Sequence, residues 1–353
     1  MTEPRLTVAM SVYNNASYLK DALDSICAQS FREFECLIVD DGSTDGSSAI
    51  LDEYAVRDPR IGVEHRSNHG LIASLNHIVD QARAPIIARM DGDDLCEPER
   101  FARQMAYLDA HPECGVLGTN AYEIDECGRR LAQCEDYPAA HDDMVEHLLR
   151  SPPIHHSSVM IRTDLLRSVG GYHPAFRHCE DYDLWLRLVD RTRFANLPEQ
   201  LIAYRRSEGQ VSQRHAHELH YGAAIARQAH ALRQAGLPDP TRGLARLPDP
   251  QQLDAFFADA RSGAAIRDAV ARNIVYSPEA LSGGGFNMVL AHVRESGDRP
   301  YFWKTVVRML KFRMPVRAAR LAWTLFMTSS RKLIIPGTLI AVAWREYEVL
   351  FSV

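Results

Sequence analysis

Seven cysteines are present, an odd number, and no two are spaced as C-x-x-C, so neither a disulfide framework nor a thiolate zinc clip is expected. No G-x-G-x-x-G follows the first strand-like segment and no G-x-x-x-x-G-K-[ST] occurs anywhere, which removes the usual glycine-rich phosphate cradles. Basic residues do not exceed acidic ones: Lys and Arg number 40, Asp and Glu 46, and the net charge of -6 excludes a dedicated nucleic-acid binder. No apolar run reaches the length of a membrane span, because the longest, residues 333–344, is broken by Pro336-Gly337. The opening Met1-Thr2-Glu3-Pro4-Arg5 carries an acid where a secretory leader carries cations, so no signal peptide is expected. What remains, with 46% apolar and 24% charged residues in 353, is globular composition.

The first 110 residues alternate two periods. Short apolar runs at 6–12, 34–39, 61–64 and 85–90 read as strands, and segments such as 16–28 and 71–79 carry apolar residues at helical spacing. That alternation predicts an α/β fold with a mostly parallel sheet, whose ligands sit beyond the carboxyl ends of the strands. Those ends carry Tyr13-Asn14-Asn15, Asp40-Asp41-Gly42-Ser43-Thr44-Asp45 and Asp91-Gly92-Asp93-Asp94. Acidic clusters thus stand where phosphate loops would be, and carboxylates tolerate a diphosphate only with a divalent cation between them. Beyond residue 110 the pattern loosens. A hairpin is expected around Glu126-Cys127-Gly128, a strand at 157–162, and a helix opening at Glu180-Asp181-Tyr182-Asp183. Cys127, Cys134 and His141 have no zinc spacing and read as ordinary reduced thiols and a histidine.

Tyr13-Asn14, the Asp40–Asp45 run, Asn68-His69-Gly70 with Asn76, Asp91-Gly92-Asp93-Asp94 and Glu180-Asp181-Tyr182-Asp183-Leu184-Trp185 occur in that order. Together they resemble the family 2 glycosyltransferases, which use the GT-A nucleotide-sugar-binding fold. The resemblance covers residues 5–213 and implies a GT-A domain over 1–213, followed by a helical C-terminal region over 214–353. It implies that Tyr13 and Asp41 meet the nucleotide base, Asp91 the ribose, and Asp93 a Mg2+ or Mn2+ ion. Asp181 falls at the position of the base that takes the acceptor hydroxyl's proton, with Glu180 beside it to bind an acceptor hydroxyl or tune Asp181. Asp40, Asp45 and Asp94 compete for loop-shaping and capping roles, and Trp185 and Leu188 read as core. His155 and His156 are candidate acceptor contacts; adjacent residues of an extended segment point apart and do not form a compact metal pair. Relatives often carry a histidine after a Tyr-Arg pair near the diphosphate. Here Ser207 occupies that place, leaving Arg205 or Arg206 to supply the charge.

The implied reaction is inverting, metal-dependent, non-processive transfer of a hexose from a nucleotide-sugar donor to a glycan or lipid-linked glycan, in bacterial surface polysaccharide synthesis. Processivity is disfavoured because no Q-x-x-R-W motif follows the Glu180-Asp181 helix. A sugar nucleotidylyltransferase and a non-catalytic nucleotide-sugar-binding scaffold are the alternatives; the first needs a glycine-rich basic loop in place of Tyr13-Asn14-Asn15. Residues 299–332 hold nine Lys or Arg and no Asp or Glu. Lys304, Arg308 and Lys311, then Arg313, Arg317 and Arg320 after a bend at Pro315, alternate with Phe302, Trp303, Val306, Met309, Leu310, Leu321, Trp323, Leu325 and Phe326. This basic amphipathic segment predicts a cytoplasmic protein held at an anionic inner membrane face, the alternative being a segment that packs back on the catalytic domain with its cations solvated.

Overall fold

The computed structural model describes residues 3–133, 136–207, 215–296 and 299–328. The chain forms two compact units, Met1–Glu208 and Gly209–Val353.

The first unit is built on one nine-stranded sheet in the order β3-β2-β1-β4-β8-β6-β9-β5, with β7 pairing with β6 off this path. Its first half is parallel: β1 (Leu6–Val12) lies between β2 (Phe34–Asp40) and β4 (Ile86–Asp91), and β3 (Ile61–His65) flanks β2. Six of the seven β1 residues are buried, the mark of a strand covered on both faces. Helices α1 (Ala16–Cys27), α2 (Ser47–Arg57) and α3 (Leu71–Gln81) provide the crossovers. In α1 the buried set Leu19, Ala22, Leu23 and Ile26 is one helical stripe, and it packs with Leu6, Val8 and Met10 in a single core.

The second half of the sheet is mixed. Helix α4 (Arg100–Ala110) leads to the long β6 (Cys114–Ile124), which turns at residues 125–129 into β7 (Arg130–Gln133). Helix α5 (His141–Leu148), β8 (Met160–Arg162), α6 (Thr163–Ser168) and α7 (Glu180–Leu188) precede β9 (Arg193–Arg205). Strand β8 runs antiparallel to both β4 and β6, whereas β9 runs parallel to β6. The two-residue β5 (Leu95–Cys96) pairs antiparallel with β9, so the loop Gly92–Asp94 is anchored by one strand on each side.

One expected strand is shorter than its pattern. His156–Ser158 is a tight 3-10 turn and β8 starts at Met160. Ser158 explains this: its Oγ and N both donate to the His155 carbonyl, at 2.8 and 2.9 Å, and compete with ladder pairing.

The second unit is helical: α8 (Ala216–Gln234), α9 (Leu253–Phe256), α10 (Ala260–Ile274), α11 (Pro278–Ser282), α12 (Gly285–Ser296), α13 (Arg299–Lys311) and α14 (Pro315–Met327). Asp259 and Ser277 cap α10 and α11 through their side chains, and Pro315 occupies the first turn of α14. Phe302, Val306, Met309, Leu321 and Leu325 are buried inside this unit. The apolar stripe expected to face a membrane is therefore divided, and Val307, Leu310, Val316, Trp323, Phe326 and Met327 form its exposed part. No helix among the described residues is long and apolar enough to cross a membrane.

Candidate active site

Strand register aligns the three motif-bearing ends. Val12 pairs with Asp40 and Ser11 with Asp91, so Tyr13, Asp41 and Asp91 emerge side by side at one edge of the parallel sheet. Tyr13 is half exposed. Asn14 sits in the left-handed region at φ 55, which asparagine tolerates, and its backbone N–H donates to Ser43 Oγ at 3.0 Å. Its Oδ1 accepts from Thr44 N at 2.8 Å, so the first and second strand-end loops hold each other.

The acids of the second loop divide their work. Asp40 accepts from Ser43 N at 3.0 Å, Ser48 Oγ at 2.5 Å and the ring of His65 at 2.8 Å, and the three partners hold its carboxyl below the usual range against the opposing effect of burial. Asp45 accepts from Ala16 N at 2.9 Å and from Ser47, tying α1 to α2. Asp41 is buried and accepts from His69 N at 3.0 Å, Gly70 N at 2.7 Å and Arg66 Nε at 3.2 Å. The Asn68-His69-Gly70 segment thus closes over the Asp41 carboxylate. Gly42, at φ +84, is required there because a Cβ would stand 2.9 Å from Asn68 N.

The third loop concentrates charge. Ligating oxygens of Asp91, Asp93 and Asp94 lie within 4.8 Å of one another. Such an all-oxygen, all-anionic set fits a hard divalent cation that keeps waters and shares substrate phosphates. Asp94 is 1% exposed; it accepts from Arg205 N at 2.9 Å and meets Ser157 Oγ, and burial with its neighbour Asp93 pushes its carboxyl up to about 7. Burial also raises Asp93, against the pull of Arg89 and Arg205. The Asp91 side chain, about one third exposed, meets Arg89 and accepts from Ser157 Oγ at 2.7 Å.

A second carboxylate station opens α7. Asp181 Oδ1 accepts from Tyr182 N at 2.7 Å. Burial raises Asp181, and Glu180 is pushed up to about 7 by burial and then by Asp181. The rest of the helix is anchored: Trp185 and Leu188 are fully buried, Tyr182 Oη donates to the Leu148 carbonyl at 2.6 Å, and Asp183 pairs with Arg187 at 2.8 Å. Carboxylates raised towards neutrality on a rigid support have the chemistry of a general base.

The histidines lie in different surroundings. His155 sits between the rings of Tyr137 and Tyr204, at 4.7 and 6.1 Å, and burial pushes it down to about 4. His156 meets Tyr172 Oη at 2.9 Å and the edge of Trp185, and burial followed by the charge of Arg89 holds it well below its ordinary value. Both rings are neutral at pH 7 and line the region as dipoles.

Arg205 is almost fully buried, and its guanidinium donates to the carbonyls of Asp93 at 2.7 Å, Asp125 at 3.1 Å and Glu126 at 3.2 Å. It braces the acidic loop. Arg206 is half exposed and pairs with Glu123 at 2.5 Å. Sequence reasoning missed Arg89 and Ser157, which touch Asp91 together. The available signal was a single cation inside the otherwise apolar β4 run Ile86–Met90.

This geometry is that of a nucleotide-sugar transferase of the GT-A type. The sequence profile described as glycosyl transferase family 2 matches residues 7–169. EpsE of Bacillus subtilis is 36% identical over 207 residues, 57% of this chain and 73% of that protein. The amylovoran biosynthesis glycosyltransferase AmsE of Erwinia amylovora is 32% identical over 212 residues, 59% and 79% of the two chains. In fold, the chain is similar to TarS of S. aureus, residues 1–349, solved in complex with UDP-GlcNAc: TM-score 0.55, 18% identity, 98% of this chain and 92% of that one. The chain belongs to glycosyl transferase family 2.

Proposed function

We propose that the protein transfers a hexose, with inversion and one residue at a time, from a nucleoside-diphosphate sugar to a hydroxyl of a glycan or lipid-linked glycan in bacterial surface polysaccharide assembly. The observation that carries this reading is the pair of carboxylate stations, Asp91–Asp93–Asp94 at the strand ends and Glu180–Asp181 at the start of α7. The polysaccharide context rests on relatives such as AmsE, named for amylovoran biosynthesis.

In this reading Tyr13 stacks on the base, Asp41 and its loop read the base edge, and Asp91 takes the ribose hydroxyls. Asp93, with Asp91 and Asp94 beside it, holds Mg2+ or Mn2+; when bound, the ion supplies positive charge to the departing diphosphate. Arg206, exposed at the rim, is the better diphosphate contact, because Arg205 would have to release three carbonyls. Asp181 accepts the acceptor hydroxyl's proton as that oxygen bonds to the anomeric carbon and the bond to the diphosphate oxygen breaks. Its raised affinity for a proton makes it a stronger base than an exposed aspartate. Neutral His155 and His156 form an acceptor wall without competing for that proton. In the same reading the exposed cations and aromatics of α13 and α14 meet an anionic membrane surface.

The test is a panel of UDP-, GDP- and dTDP-sugars, scored for release of nucleoside diphosphate with Mg2+, with Mn2+ and with EDTA. Metal-dependent release is expected with at least one donor. Asp181→Asn is expected to lower kcat about 10^2–10^4-fold while leaving nucleotide affinity unchanged. Near-normal turnover by this variant would refute the assignment of the base.

A further inference from the structure

We infer that Arg89 is a positioning residue of the transfer reaction: through Ser157 it fixes the Asp91 carboxylate that meets the donor, and it is the shared counter-ion of the donor and base carboxylates. The inference rests on the transferase reading above and adds to it a residue outside the five motifs.

Arg89 is 4% exposed and points from the interior of β4. Its main chain is held on both sides, its N–H donating to the Val159 carbonyl at 3.0 Å and its carbonyl accepting from Arg100 Nη2 at 3.0 Å. Its Nη1 donates to Ser157 Oγ at 3.1 Å and meets Asp91 Oδ2, while Ser157 Oγ reaches the same Asp91 oxygen at 2.7 Å and also Asp94. Guanidinium, hydroxyl and carboxylate form a closed triangle, so Asp91 has one orientation at the strand end. The Nε–H of Arg89 is buried without an acceptor. Burying a guanidinium that leaves a donor unsatisfied is unfavourable, and an apolar side chain of like volume would suit the core better. A task accounts for the retained charge.

That task is visible in what surrounds the guanidinium. It touches Asp91 of the first station directly, and its charge also acts on Glu180 and Asp181 of the second. The groups acting on Asp181 are Glu180 and Asp183 of its own helix, Arg89 of β4 and Tyr172 ahead of α7. Arg89 is the cation whose charge acts on Asp181 itself, while Arg187 pairs with Asp183 and acts on Tyr172. It opposes the mutual repulsion of the carboxylates and keeps Asp181 ionised at a lower pH than burial alone would permit.

The experiment compares Arg89→Met, Arg89→Lys and Ser157→Ala in the full chain. Each is measured for thermal midpoint, calorimetric affinity for UDP, GDP and dTDP, and the pH profile of kcat/KM with the donor that the wild type turns over fastest. Arg89→Met is expected to weaken nucleotide affinity about tenfold or more. It should also move the acidic limb of the profile upwards by roughly half to one pH unit, since loss of a nearby positive charge raises a carboxylate. Arg89→Lys should restore the limb but not the affinity, because one ammonium does not reproduce the planar fork. Ser157→Ala should weaken affinity and leave the limb in place.

A folded Arg89→Met protein with wild-type affinity and profile overturns the inference, as does a limb shift that lysine does not reverse. Should Arg89→Met not fold, unchanged affinity in Ser157→Ala overturns it. A wild type that binds no nucleotide and turns over no donor overturns the transferase reading and this inference together. An active wild type with unaltered variants overturns only the inference.

Discussion

Asp93 and Asp94 are neighbours in sequence with different surroundings, and the difference predicts a pH dependence. Asp94 is buried against Ser157 and Arg205, and its carboxyl is pushed up to about 7. The folded chain therefore keeps a proton that the unfolded chain releases near pH 4. The stability this contributes is full in acid and is lost as pH rises through 7. In EDTA, wild type should lose thermal midpoint between pH 5.5 and 8.5, and Asp94→Asn, which cannot ionise, should lose less. Glu180, pushed up to about 7 as well, acts in both proteins and cancels in the comparison. Parallel pH curves would show that Asp94 is already ionised in the fold. Asp91, Asp93 and Asp181 were legible because each belongs to a short motif at a strand end or helix start. Arg89 was not, because its partner Ser157 lies 68 residues away in sequence and only the fold brings the two together.

At the scale of elements, α3 is joined to the segment ahead of α7 by one side chain. Asn76 Oδ1 accepts from Tyr172 N and its Nδ2 donates to the Tyr172 carbonyl, both at 2.7 Å. Tyr172 in turn carries His156. Gly170 and Gly171 both have positive φ, 78 and 67, yet their neighbourhoods differ. A Cβ on Gly170 meets nothing within 4 Å, whereas one on Gly171 would lie 2.4 Å from Asn76 Oδ1. Gly170→Ala should therefore cost about 1–2 kcal/mol, the left-handed penalty alone. Gly171→Ala should cost roughly 1–3 kcal/mol more, because it breaks the bonds to Tyr172 and leaves buried polar groups unpaired. Urea unfolding of the two variants measures the difference, and equal losses would remove Asn76 from the account. No sequence pattern reveals this contact, because Asn76 and Tyr172 are 96 residues apart. Strand β9 escaped for a local reason. Pro198 interrupts its apolar pattern, and the pairing with β6 shifts register between Thr119 and Asn120, where proline is tolerated. The parallel half of the sheet, free of such interruptions, was read within a residue or so at most ends.

Across the whole molecule the net charge of -6 averages two unlike regions: a catalytic half with acids at its strand ends, and a stretch at 299–332 with nine cations and no acids. Periodicity identified that stretch but could not tell which apolar side chains would be buried by neighbouring helices. The fold separates them. Arg308 stacks on Tyr276 at 4.2 Å, and Arg317 donates to the Leu281 carbonyl and lies over Phe286, so these two cations are engaged within the helical unit. Lys304, Lys311, Arg313 and Arg320 remain exposed, Arg320 with its guanidinium also 5.8 Å over Phe286, together with Val307, Leu310, Val316, Trp323, Phe326 and Met327. A lysine or arginine near an anionic surface contributes about 1 kcal/mol, so four of them with several apolar side chains suffice for reversible binding at low salt. The full chain should co-sediment with vesicles containing phosphatidylserine and not with pure phosphatidylcholine, and the binding should fall steeply with added salt. Replacing Lys304 and Lys311 with glutamine should weaken it more than replacing Arg308 and Arg317 with glutamine, although both changes remove two cations. A chain ending at residue 213, which retains the compact first unit with its own core, should bind nucleotide and leave the vesicles alone. Equal sedimentation of the full and shortened chains would move the membrane contact out of the helical unit, and sedimentation of neither would abolish it.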